Sequence, residues 1–198
     1  MSKIAVVFHS GYGHTAKQAE AVREGAAGVA GATVDLLTID TEGNLPDAAW
    51  ETLLSADAII FGSPTYMGAA SWQFKKFADA SSKPWFGQAW KNKIAAGFTN
   101  SASMNGDKGE TLHYFFTLAM QHSMIFVGTG LMPANSSKAG RNDINHLGSF
   151  AGAMAQSDSD SGADVAPPSG DLETAKLFGA RVAETAAQFA KGRALSGA

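Results

Sequence analysis

The chain contains no cysteine among its 198 residues. Disulfide staples and thiolate chemistry are therefore excluded, and the absence fits a reducing compartment. No stretch approaches the ~20 continuous apolar residues of a membrane-spanning helix. Charge is also sparse, with 15 Lys and Arg against 18 Asp and Glu and a net charge of −3. That balance, without a basic run, excludes the usual footprint of a nucleic-acid binder. It is also mild for a protein that docks electrostatically on basic partners. No Asp, Glu and His set has metal-ligand spacing, so no metal site is expected. Met1-Ser2-Lys3 runs straight into an apolar segment without a signal-peptide core, so a cytoplasmic location is expected.

Short apolar runs alternate with helical periodicity along the whole chain. Lys3–His9 (KIAVVFH), Ala58–Gly62 (AIIFG), Lys93–Phe98 (KIAAGF) and Met124–Val127 (MIFV) read as buried strands, and Thr33–Ile39 (TVDLLTI) as a strand nearer an edge. Ala19, Val22, Ala26 and Val29 form one helical stripe, with Thr15 as a possible cap. Further helices are read around Asp47–Leu54, from Ala70, over Glu110–His122 and over Asp171–Lys191. The tail from Gly192 is expected to fray. This alternation implies a doubly wound α/β fold: a five-stranded parallel sheet, order 2-1-3-4-5, with helices on both faces. One domain is expected over residues 1–198, with a long irregular insertion at about 128–169. A structureless loop of that length suggests function or a subunit contact. The polar run Gln156–Asp164 (QSDSDSGAD) within it carries no site in this reading.

Ligands in such folds bind at the carboxyl ends of the strands, beside the topological switch point. Three loops fall there. Ser10, Gly11, Tyr12, Gly13, His14 and Thr15 follow the first strand. The glycines let the backbone approach an anion, the helix start offers free N–H groups, and Ser10 and Thr15 add hydroxyls. The segment GYGHTA also fits G-x-G-x-x-G/A, with Asp40 as a possible ribose acid, and a plain glycine turn fits as well. The second loop, GSPTYMG, offers Pro64, Thr65, Tyr66 and Met67 to the rim and ring of a planar ligand. The third follows the fourth strand and offers Asn100, Ser101, Ala102, Ser103, Met104 and Asn105. Each loop alone could be an ordinary turn. Together they suit a phosphorylated planar ligand. His9, ending a buried strand, reads as a structural imidazole, and His14 as a surface residue.

The ordered set SGYGHT, AIIFGSPTYMG, FTNSASMNGDKGET and QHSMIFVGTG resembles the WrbA-type NAD(P)H:quinone oxidoreductases of the flavodoxin superfamily, over nearly the whole chain. The resemblance implies the same strand order, as a flavodoxin-like fold, together with FMN, reduction by NADH or NADPH, onward two-electron reduction of a small-molecule quinone, and a homotetramer. It implies FMN contacts at 10–15, at 64–67 and at 100–105. It also makes Tyr12 a nicotinamide-nucleotide contact, Trp85 a wall of the substrate pocket and His122 a catalytic histidine at the flavin. The end of a helix that follows the fourth strand lies at the sheet edge opposite the chain's own crevice, so His122 would act on a neighbouring subunit. Its other reading is a charged cap on the helix C-terminus. The third loop departs from the family, which is richer there in Gly and Thr, and Met67 stands where an aromatic is usual. A flavodoxin-type electron carrier and a flavin-binding scaffold without quinone turnover are the alternative functions.

Overall fold

The fold is taken from a computed structural model, which describes residues 1–196. Along the chain the elements are β1 (Ser2–Phe8), α1 (His14–Ala27), β2 (Ala32–Thr38), α2 (Asp47–Ser55), β3 (Ala58–Tyr66), β4 (Ala69–Ala70), α3 (Trp72–Ala80), α4 (Ser82–Phe86), β5 (Ile94–Ser101), α5 (Lys108–Gln121), β6 (Ile125–Phe126), β7 (Ala153–Gln156) and α6 (Ser169–Ser196). The main path of the sheet is β2-β1-β3-β5-β6, all parallel.

Alternation along the strands divides the core in two. Ala5, Val7, Ile59, Phe61 and Ala95 face Leu53, Phe74, Phe77 and Phe115 of α2, α3 and α5. Their neighbours Ile4, Val6, Phe8, Ile60, Ala96 and Phe98 face Val22 of α1 and Phe178 and Val182 of α6. Strands buried on both faces must be apolar at every position, which is why β1 and β3 read as continuous runs. Helices α1 and α6 touch backbone to backbone. A Cβ at Gly25 would collide with the Lys176 carbonyl, and one at Gly179 with the Val22 carbonyl.

The five-strand expectation, and with it the simple order, is corrected: among the described residues the sheet has seven strands. One addition is β4, which pairs antiparallel with the end of β3 through Thr65↔Ala70 and Tyr66↔Ala69. Met67 (φ 48°) and Gly68 (φ 80°) form the two-residue turn between them, the left-handed pair such hairpins need. The other addition is β7. The chain leaves the sheet after β6, which pairs only with the start of β5, and β7 then pairs with the end of β5 from Phe98↔Ala153 to Ser101↔Gln156. Four residues without a long apolar run gave no strand signal.

The helix expected to be capped by Thr15 starts at His14, with Gly13 (φ 89°) as its cap residue. Where the tail is expected to fray from Gly192, α6 continues to Ser196; Gly197 and Ala198 lie outside the described residues. Between β6 and α6 the irregular segment is held by its own polar side chains. Asn145 Nδ2 donates to the Leu131 and Ser149 carbonyls, and Thr129 Oγ1 donates to the Ser149 carbonyl.

The α1–α6 contact leaves no room for a methyl group. Gly179→Ala should cost roughly 1–3 kcal/mol. Thermal denaturation should show Tm lower by about 2–10 °C, whereas an unchanged Tm would mean that the helices part freely.

Candidate functional site

The carboxyl ends of β1, β3 and β5 lie side by side in the register Phe8↔Gly62 and Gly62↔Phe98. Their loops open on a cleft of about 570 Å³ lined by Tyr12, His14, Thr15, Pro64, Thr65, Tyr66, Asn100, Ser101, Ala102, Ser157, Ser159, Ser161 and Gly162. That volume falls within the ~300–1,000 Å³ range of ligand pockets.

At the floor of the first loop, Ser10 Oγ accepts the N–H groups of Gly13 (3.1 Å) and Ala16 (3.2 Å). Its own O–H remains to donate. The N–H groups of His14 and Thr15 belong to the first turn of α1, which has no intrahelical acceptor for them. Dipole and donors make this end of α1 favourable to an anion. The Gly11 N–H bonds to the Tyr66 hydroxyl, and the Tyr66 ring meets Tyr12 edge-on at 6.2 Å. Burial holds the Tyr66 hydroxyl above its ordinary pKa, so it stays neutral.

Beneath the second loop lies a buried hydroxyl cluster. Thr65 Oγ1 is 2.8 Å from both Thr99 Oγ1 and Thr111 Oγ1. His9 Nδ1 lies 2.8 Å from Ser71 Oγ, which also accepts the Phe74 N–H. The ring is buried at the end of β1, and burial lowers its pKa. His9 is thus a structural imidazole that ties β1 to the start of α3.

The third loop rests on a lysine that the sequence reading passed over. Lys108 is fully buried at the start of α5. Its Nζ donates to Ser101 Oγ (2.8 Å) and to the Ser103 carbonyl (2.6 Å). Burial pushes its pKa down to about 8, the nearby Asp171 carboxylate opposes that shift, and Arg141 adds to it. The Arg141 guanidinium holds Asp171 through two parallel bonds of 2.7 and 2.6 Å. With both cations committed in this way, no Lys or Arg among the described residues lines the cleft.

The largest omission of the sequence reading is the fourth wall. The run Gln156–Asp164, read as siteless, lines the cleft through Ser157, Ser159, Ser161 and Gly162. Only the pairing of β7 with β5 brings it there, and no local signal announces that pairing. His14 is likewise corrected from a surface residue. It is half-buried, and its Nε2 donates to the Ser161 carbonyl at 2.9 Å.

Of the expected residues, Tyr12, His14, Thr15, Pro64, Thr65, Tyr66, Asn100, Ser101 and Ala102 converge on the cleft. Ser10, Gly11 and Gly13 form the backbone beneath it. Met67 does not line it, because the hairpin turn leaves its side chain fully exposed. Ser103, Met104 and Asn105 also lie off the lining, where the loop turns back through Gly106 and Asp107 with positive φ. Asp40 is no free ribose acid. Its carboxylate accepts the N–H groups of Glu42 and Asn44 and closes its own loop.

Trp85 and His122 stand together away from this cleft. With Phe86, Gln88, Gln121 and Ser123 they line a second cavity of about 270 Å³ at the C-terminal end of α5. There His122 Nε2 is 2.9 Å from Ser81 Oγ, and the ring lies 4.2 Å from that of Trp90. The charged helix cap is overturned, because burial pushes the His122 pKa down to about 4 and keeps the ring neutral at pH 7.

Residues 6–138 match the sequence model of the family described as NADPH-dependent FMN reductase. The chain is 55% identical to the protein named Flavodoxin FldP of Pseudomonas aeruginosa, over 96% of this chain and 99% of the relative. It is 35% identical to an NAD(P)H dehydrogenase (quinone) of Archaeoglobus fulgidus, over 94% and 98%. Among solved structures, a flavodoxin, WrbA-like protein from Agrobacterium tumefaciens superposes with a TM-score of 0.75 at 50% identity, covering 95% of this chain and 99% of that one.

The buried imidazole makes stability depend on acid. Unfolded His122 binds its proton near pH 6.5, whereas the folded ring resists until about 4. Stability should therefore be full above pH 6.5 and decline as pH falls from 6.5 toward 4. His9 acts in the same direction, so chemical denaturation of His122→Gln should show a flatter, not flat, profile in that window. A slope identical to that of the unmodified protein would contradict the burial argument.

Proposed function

Because the chain belongs to the NADPH-dependent FMN reductase family, as a WrbA-type member of the flavodoxin superfamily, we propose that it is an FMN-dependent NAD(P)H:quinone oxidoreductase. The observation that carries the reading is the convergence of the β1, β3 and β5 loops on one cleft at a helix N-terminus. Bound FMN would supply the chemistry, taking a hydride from NAD(P)H at flavin N5 and passing two electrons to the quinone.

The residues present suit that group. The Ser10 O–H, Thr15 and the first-turn N–H groups of α1 offer neutral donors to a phosphate. Gly13 (φ 89°) holds the turn that turns the donors outward. Asn100, Ser101 and Ala102 offer polar atoms to the pyrimidine edge of the flavin, and Pro64, Thr65 and Tyr66 border its ring. Tyr12, which is 79% exposed, stands at the mouth of the cleft, where a nicotinamide ring or a quinone would enter. Two-electron chemistry carried by the cofactor needs no acid or base from the chain, only placement and an open face. The quinone itself is drawn from the relatives named NAD(P)H dehydrogenase (quinone), which align over nearly the full length.

Trp85 and His122 enter this reading through assembly. They share a cavity at the other edge of the sheet, with Phe86 exposed beside it. In a homotetramer that edge would face the flavin of a neighbouring subunit, with Trp85 as a pocket wall and His122 presenting a neutral ring. The carrier alternative is favoured by one observation, the name Flavodoxin FldP on the 55% identical relative. The net charge of −3 weighs against it, since a soluble carrier relies on a strongly charged docking face.

Steady-state kinetics with NADH or NADPH and benzoquinone separate the two. The enzyme reading predicts continuous turnover with parallel double-reciprocal lines, as donor and acceptor alternate at one site, from a species sedimenting above monomer mass. Reduction of the flavin without quinone turnover would overturn the enzyme in favour of the carrier. A fully active monomer would overturn the part given to Trp85 and His122.

A further inference from the structure

The segment Ser157–Gly162 has no part in any reading of the loops that follow β1, β3 and β5. Its placement is nevertheless tightly specified. At one end the Ser157 N–H donates to the Ser101 carbonyl at 3.1 Å, and Asn100 Nδ2 donates to Ser157 Oγ at 2.9 Å. Just before it, the Gln156 N–H donates to the Asp171 carboxylate at 2.8 Å, and Gln156 Nε2 donates to the Ala102 carbonyl at 3.2 Å. At the other end the Ser161 carbonyl accepts His14 Nε2 at 2.9 Å. Beyond that, Ala163 lies so near Gly13 that a Cβ there would stand 2.9 Å from the Ala163 methyl. The segment thus spans the cleft from the third loop to the anion-binding turn of α1.

Composition follows this path. Serines recur at 157, 159 and 161, each lining the cleft, with Asp158 and Asp160 between them. The segment turns at Asp158–Ser161, where the Ser161 N–H donates to the Asp158 carbonyl at 3.1 Å, and all three serines stay on the lining, which thereby gains hydroxyls. Ser157 Oγ is already bonded to Asn100. Ser159 and Ser161 share the lining with His14 and Thr15, and the Ser161 carbonyl is bonded to His14. An anion in this cleft has no lining Lys or Arg among the described residues to meet, so each further hydroxyl weighs more than it would beside a guanidinium. A hydrogen bond to a charged group contributes roughly 1.5–3 kcal/mol.

We propose that Ser157–Gly162 is a fourth binding segment of the cofactor site, in which Ser159 and Ser161 donate to the FMN phosphate opposite Ser10 and Thr15. The inference rests on the FMN reading. It adds that phosphate affinity is divided between two chain segments some 150 residues apart, joined by the His14–Ser161 bond. Lys108, Arg141 and Asp171 support it from behind, by fixing the third loop and the start of the segment.

The test is fluorescence titration of apoprotein with FMN and, separately, with riboflavin, which lacks the phosphate. The S159A/S161A double variant should bind FMN about tenfold or more weakly. Its riboflavin affinity should change less than twofold, and the Tm of the apoprotein should match that of the unmodified chain. Ser159→Ala alone, at an exposed position, is the second variant in case the pair disturbs folding; it should show the same selective loss to a smaller extent. Unchanged FMN affinity, or equal loss for FMN and riboflavin, would overturn the proposal while leaving the FMN reading intact. Failure of the unmodified apoprotein to bind FMN would overturn both.

Discussion

The outer edge of β5 needs two partners, and much of the site depends on how it gets them. Its first half is covered by β6 and its second half by β7, and 26 residues (127–152) separate the two. An open edge beside a ligand cleft would leave backbone N–H and C=O groups unpaired. Pairing Phe98–Ser101 with Ala153–Gln156 closes it. The same pairing delivers residues 157–162 to the mouth of the cleft and draws Asp171, at the start of α6, toward Gln156 and Arg141. Without that return strand the third loop would keep Lys108 but lose its contacts to Ser157 and Gln156.

The electrostatic design is consistent with this frame. Cationic side chains near the cleft are turned inward as struts: Lys108 onto Ser101 and Ser103, Arg141 onto Asp171. Among the described residues the cleft lining holds no Lys, Arg, Asp or Glu, and its polar groups include hydroxyls and the Asn100 amide. Neutral donors hold a phosphate by geometry more than by field, so the turn must be stiff. The Ser10 bonds to Gly13 and Ala16, the left-handed Gly13 and the His14–Ser161 link supply that stiffness. At the far edge of the sheet a buried, neutral His122 is held on Trp90 and Ser81, with burial depressing its pKa.

The parts of this arrangement that were legible in the sequence are those encoded locally. Runs such as KIAVVFH and AIIFG, short and apolar throughout, read as central parallel strands, and SGYGHT reads as a strand-to-helix turn. The first-loop, second-loop and third-loop candidates that reach the cleft were found on that basis. The parts that were missed are nonlocal. QSDSDSGAD looks like solvent-facing polymer until β7 docks. Lys108 looks like an ordinary helical lysine until Asp107 and Gly106 turn it under the loop. Met67 stands off the lining because the hairpin turn sets where it points. Trp85 and His122 were recognised through family resemblance, and their proximity to each other became visible only in the folded chain.

The central claim is that FMN is held at the carboxyl edge of the sheet by four chain segments. Mapping amide chemical-shift changes as FMN is added to isotope-labelled apoprotein tests it most directly. The account predicts that the largest changes fall on residues 10–15, 64–66, 100–102 and 157–162. Changes concentrated instead around residues 85–88 and 121–123, with the 157–162 amides silent, would contradict it.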